Sequence, residues 1–224
     1  MDVAILRDVV ERHNVSNVVA LRWLVRHLLA NAASSFSVER FHGVLKSQGI
    51  AVSRDTLHHL LGYLEDCFLV RTVWMEADSA RQRMVNPRKV YPVDPGLIRV
   101  FDRSGRGNLG HVLETAVLIE LERRRAEVTY VRTPEGHEVD FLARAPDGTE
   151  HLLQVCADAS DPDTAAREIR ALREAGRHRP QAKRWLLTPT RDGTLPDPPK
   201  DITCWPAYQW MLTDGSVMAS HHEG

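Results

Sequence analysis

A chain of 224 residues is long enough for one or two domains, each with its own core. Lys and Arg number 29 against 30 Asp and Glu, so a net charge of −1 excludes a uniformly basic nucleic-acid coat and leaves any such binding to a local patch. Three cysteines, Cys67, Cys156 and Cys204, lie far apart without CxxC spacing, which argues for a reducing cytoplasm and against disulfides or a structural zinc. No apolar run approaches a membrane span, and Met1-Asp2-Val3 does not open a signal peptide, so the expected location is cytoplasmic, away from membrane.

Residues 1–15 read as the tail of a preceding domain, with a short helix that has little to bury against locally. From Asn17, the apolar positions Val18, Leu21, Leu24, Val25, Leu28 and Leu29 predict an amphipathic helix capped by Ser16. Ser37 caps a second helix with Val38, Phe41, Val44 and Leu45 inward, ended by Gly49. Ser53 caps a third, with Leu57, Leu60, Leu61 and Leu64 on one face. Strands follow at 68–74 and 89–93, joined by a polar, arginine-rich loop. Three helices and a two-stranded hairpin predict a winged helix over 16–94.

A connector with Pro95, Gly96, Gly105 and Gly107 is expected over 95–107. The second domain, 108–213, opens with a helix from Leu109 to Arg125. Its inner stripe is Leu113, Val117 and Leu121, and Glu114 lies beside that stripe. A strand follows at Val128–Thr133. Glu138-Val139-Asp140-Phe141-Leu142-Ala143 then alternates, placing Val139, Phe141 and Ala143 on one face and Glu138, Asp140 and Leu142 on the other. Pro146-Asp147-Gly148-Thr149 is a hairpin turn, and His151 to Cys156 returns with Leu152, Gln154 and Cys156 on one face. Asp161-Pro162 starts a helix with Ala165, Ile169 and Leu172 inward. Strands at 184–188 and 202–205 and a short helix from Pro206 complete an α/β sandwich with a mixed sheet; 214–224 read as a disordered tail.

An Asp in one strand of a hairpin and a polar residue 14 positions later in its partner resemble the core of the PD-(D/E)xK nuclease superfamily. There, two strands present an Asp and a (D/E)xK triplet around a divalent metal. The resemblance implies a site built on Glu114, Asp140 and Gln154, with Glu114 and Asp140 as ligands if Mg²⁺ is bound. The triplet here reads Gln154-Val155-Cys156, so the lysine is missing and the second acid is an amide. Arg167 or Arg170 is the candidate for a migrated cation, and Glu138 for a replacement acid.

Leu64-Glu65-Asp66-Cys67-Phe68-Leu69-Val70, the run Asn86 to Leu97, Glu138 to Leu142 and Arg167 to Leu172 extend a resemblance over nearly the whole chain. Together they are similar to the C-terminal region of a prokaryotic family of AAA-type ATP-binding proteins: a winged helix, then a nuclease-like fold, usually preceded by a P-loop ATPase. No G-x-x-x-x-G-K-[ST] occurs here. The resemblance therefore implies an ATPase domain or chain as partner and a chain equivalent to the ATPase's C-terminal half.

Between Arg71 and Arg106, eight basic residues face four acids. The expected nucleic-acid contacts are Arg54 and His58 on the third helix and Arg81, Arg83, Arg88 and Lys89 on the hairpin. Three readings follow. The first is a non-catalytic duplex-DNA-binding or regulatory module with a degenerate nuclease fold and no required cofactor. The second is a metal-dependent nuclease with an altered site. The third is a protein-interaction platform whose arginines are solvated or paired. His58-His59 and His221-His222 are neighbours whose side chains diverge, and Cys156 with His151 lacks anything to lower the thiol pKa.

Overall fold

The computed structural model describes residues 2–101, 109–191, 195 and 198–213. Among them lie nine helices and eight strands, a mixed α and β content in line with the expected class. The chain divides into two units, residues 1–73 with 87–108 and residues 74–86 with 109–224. Part of the expected connector, 102–107, and the expected tail, 214–224, fall outside the described residues.

The first unit holds α1 (Asp2–His13), α2 (Val18–Ala30), α3 (Val38–Ser47) and α4 (Arg54–Asp66). Each of the last three begins on a side chain that accepts a backbone N–H of its first turn: Asn17 from Ala20 at 3.0 Å, Ser37 from Arg40 at 3.4 Å, Ser53 from Thr56 at 3.0 Å. Asn17, not Ser16, caps α2, because its carboxamide reaches the third helical N–H. Gly49 ends α3 at a φ of 74°, where a side chain would be strained. Leu21, Leu24, Leu28, Phe41, Leu45, Leu57, Leu60, Leu61 and Leu64 form one core, in which each fully buried leucine is worth about 1.5–3 kcal/mol. Val9 of α1 is 1 % exposed in that same core, so the first helix does find local burial, contrary to the expectation.

Three strands complete this unit: β1 (Ser35–Phe36), β3 (Arg88–Pro92) and the first four residues of β2 (Val70–Met75). β3 lies between the other two and pairs antiparallel with β1 through Ser35–Lys89 and Phe36–Arg88. β1 was not foreseen, being only two residues long. A short helix, α6 (Gly96–Phe101), occupies the start of the expected connector; the Asp94 carboxylate accepts the Gly96 N–H at 2.7 Å, and Leu97, Ile98 and Phe101 turn inward.

The second unit takes the end of β2, α5 (Ala80–Val85), α7 (Leu109–Arg123), β4 (Glu127–Arg132), β5 (Glu138–Arg144), β6 (Glu150–Val155), α8 (Pro162–His178), β7 (Lys183–Thr188), β8 (Thr203–Pro206) and α9 (Ala207–Leu212). β4, β5 and β6 form an antiparallel meander. Trp74 and Met75 pair parallel with Thr129 and Tyr130, and β7 and β8 extend the other side in parallel. Gly148, at a φ of 85°, makes the β5–β6 turn as the sequence predicts.

β5 departs from the strict alternation expected of it. Thr129 faces Leu142 and Val131 faces Val139, so Tyr130 alone stands opposite both Asp140 and Phe141. This bulge breaks the period of two, and Val139 and Leu142 therefore share one core cluster with Leu152, Cys156, Leu186 and Ala171, Leu172 and Ala175 of α8. α8 covers that face. His151, Leu153 and Trp185 point the other way, toward the side packed by α7 and α9.

Candidate functional site

Asp140 and Gln154 meet where the β5–β6 ladder stops; the last backbone pair is Phe141–Leu153. Beyond it, side chains replace the ladder. The Asp140 N–H donates to Gln154 Oε1 at 3.2 Å, and the Val155 N–H donates to Asp140 Oδ2 at 3.0 Å. The Gln154 amide Nε2 then donates to Glu168 Oε2 of α8 at 2.8 Å, and Arg167 Nη2 donates to Glu168 Oε1 at 2.7 Å. Asp140, Gln154 and Glu168 are all buried, while Arg167 reaches in from solvent.

Glu168 is the member that sequence reading missed. The inner stripe of α8 is Ala165, Glu168, Ala171, Leu172 and Ala175; it keeps the expected Ala165 and Leu172, while Ile169 packs half-buried against the same cluster. A glutamate three residues after one inward alanine and four before an inward leucine was the available signal. Burial raises the Glu168 carboxyl pKa; Arg167 and the Gln154 amide pull it down in part, and the negative charge of Asp140 adds to the rise.

Asp140 and Gln154 spend oxygens on backbone N–H groups, and the amide presents its nitrogen, not an anion, to Glu168. Among the described residues no group of three or more His, Cys, Asp and Glu side chains is placed to hold a metal. Glu114 is buried on α7 as its place beside the inner stripe suggests, and Gln154 is tied to α8 through Glu168. Arg170 is exposed, and Arg167 is the cation beside this network. Cys156 packs in the α8 cluster, and burial pushes its thiol pKa up. His151 faces the opposite way, accepting from Trp185 Nε1 at 3.0 Å, so it does not pair with Cys156. Burial holds its imidazole at about 4.

A second network ties down the base of the 76–87 segment. Glu76 accepts from Thr129 Oγ1 at 2.8 Å, from Arg144 at 2.5 Å and from Arg179 at 2.9 Å, and both arginines also bond Glu150 at 2.9 Å. Burial alone would raise the Glu76 pKa; the bonds from Arg144 and Thr129 and the two guanidinium charges more than offset it and leave it low.

The six residues expected to contact nucleic acid occupy unlike surroundings. Arg54 is exposed and pairs with Glu39 at 2.9 Å; His58 is exposed on α4. Lys89 is 2 % exposed and Arg88 half-buried, with burial lowering the Arg88 pKa, so β3 offers little free cation to solvent. Arg81 and Arg83 stand on α5, every residue of which is exposed. This helix falls in the expected loop and has no apolar period to betray it; the Ser79 hydroxyl accepting from the Gln82 N–H at 3.2 Å and good helix formers set it instead.

No helix among the described residues is long and apolar enough to cross a membrane. Residues 1–105 match a family described as a domain of unknown function, DUF8612. The chain is 28 % identical over 224 residues to an uncharacterised protein of Methanocaldococcus jannaschii, covering 95 % of this chain and 49 % of that protein. It is 27 % identical over 146 residues to an uncharacterised protein of Haemophilus influenzae, covering 65 % of this chain and 36 % of that one. The chain thus spans half or less of the length of the curated relatives it matches. No solved structure matches it.

Proposed function

We propose that the chain is a non-catalytic nucleic-acid-binding or regulatory module, a winged helix followed by a nuclease-like α/β unit whose acidic centre has become a structural network. The observation that carries the non-catalytic part is the exchange between Asp140 and Gln154, in which oxygens that would hold a metal instead terminate a strand ladder. The helix order of the first unit, with β1 between α2 and α3 and β2–β3 after α4, supports the winged-helix reading. Relatives about twice as long support a role as one part of a larger protein, which the sequence resemblance identifies as an AAA-type ATPase. Fold alone assigns no activity, so the test is chemical. Supercoiled plasmid incubated with the protein and Mg²⁺ or Mn²⁺ stays intact on this reading. Cleavage that disappears in Asp140→Ala overturns it in favour of the second reading, a metal-dependent nuclease. That alternative draws its support from the bulge at Asp140, since bulges often re-aim side chains at active sites.

A further inference from the structure

We propose that α5 is a minor-groove element: Arg81 and Arg83 follow the groove of duplex DNA while Met84 and Val85 press an apolar wedge against it. The inference rests on the nucleic-acid reading above and names the surface that carries it. From Ser79 to Val93 the chain holds Arg81, Arg83, Arg88 and Lys89 and no acid. Burial removes Lys89 and half-removes Arg88, which leaves the two α5 arginines as the free cations of this run. Met84 and Val85 are 74 % and 76 % exposed, a loss of apolar burial that the fold does not recover elsewhere on α5. Arg81, Met84 and Val85 are at i, i+3 and i+4 and so share one helical face. Arg83 and Met84 also border a cleft of about 300 Å³ backed by Trp74.

Charge decides the occupant. A run of cations without acids complements a polyanion, and exposed apolar side chains flanked by arginine are what minor-groove proteins insert at a base step. Six helical residues span only about 9 Å, far short of the surface a stable protein interface needs but matched to a groove. Glu76, held by Arg144 and Arg179, fixes the segment just before this helix, so the wedge is presented from an anchored base.

The test uses the full chain and a fluorescent duplex carrying an A·T tract, labelled at both ends. Netropsin, which fills the A·T minor groove, should displace the protein, raising its apparent Kd at least tenfold. Arg81→Gln with Arg83→Gln should weaken binding about tenfold and lower the slope of log K against log salt by about two. Met84→Ala with Val85→Ala should abolish protein-induced approach of the duplex ends while binding falls less than tenfold. All four side chains are exposed, so an unchanged melting temperature is expected and checks folding. Binding that ignores netropsin and all four substitutions overturns the assignment of α5 alone. No binding by the wild type at low salt overturns the nucleic-acid reading and α5 with it.

Discussion

Asp140 and Gln154 stand opposite one another across β5 and β6, and each satisfies a backbone N–H of the other's strand, through bonds of 3.2 and 3.0 Å. Gln154 also holds Glu168 through its amide nitrogen, so amide and carboxylate are not interchangeable at this position. Gln154→Glu, the change that restores the acid of the nuclease motif, should therefore destabilise the fold by about 1–3 kcal/mol near neutral pH. The added carboxylate faces Glu168 and Asp140, and like charges favour protonation, so the loss should shrink from about pH 8 to about pH 5. Urea denaturation at both pH values checks this, and an unchanged midpoint at about pH 8 would contradict it.

His151 sets a pH dependence of its own. Its folded pKa of about 4 lies below the ordinary 6.5, so the unfolded chain binds the proton more tightly. The stability it contributes is fully present above 6.5 and is lost as pH falls toward 4, by about 3 kcal/mol in all. His151→Leu should flatten the stability profile between those limits, at the expense of the Trp185 hydrogen bond. Thermal melts across that range distinguish a flat profile from a falling one.

The Glu76 network should fail at lower pH. Glu76 has a depressed pKa, so its contribution is present above the ordinary carboxylate value of 4.5 and disappears as pH drops through the folded one. Glu76→Gln should cost about 2 kcal/mol, since Arg144 and Arg179 keep Glu150 but lose the second carboxylate they share. Hydrogen exchange should then rise first at residues 74–78, and uniform protection there would remove the network's anchoring role.

Arg124 docks α9. Its guanidinium donates to the Trp210 and Thr213 carbonyls at 2.6 and 3.1 Å, bonds Glu120 at 2.7 Å and lies 4.3 Å from the Trp210 ring centroid. A lysine cannot make these bonds together, so Arg124→Lys should destabilise by about 1–3 kcal/mol and expose Trp210. Acrylamide quenching of tryptophan fluorescence reads that exposure directly; wild-type quenching would show that α9 is held by its apolar contacts alone.

The elements that announce themselves locally were legible in the sequence. Ser37, Ser53 and Asp161 cap the helices they were expected to cap, and Gly49 and Gly148 sit at the positive φ their turns require. What escaped depends on partners distant in the chain. The bulge at Asp140 exists only against Tyr130, the parallel pairing of Trp74 with Thr129 spans 55 positions, and the burial of Lys89 follows from the strand it was given to. Glu168 was overlooked because a glutamate on a helix is usually solvated. Of the expected site, Asp140 and Gln154 do meet, and Glu168 with Arg167 completes their network.

One titration tests most directly whether this chain binds DNA without cutting it. Fluorescence anisotropy of a labelled duplex, titrated with the full chain at low and physiological salt and then given Mg²⁺, measures both. The expected result is binding that weakens steeply with salt and an anisotropy that Mg²⁺ leaves unchanged. Absence of binding at low salt, or a Mg²⁺-dependent fall in anisotropy as the duplex is cut, would contradict it.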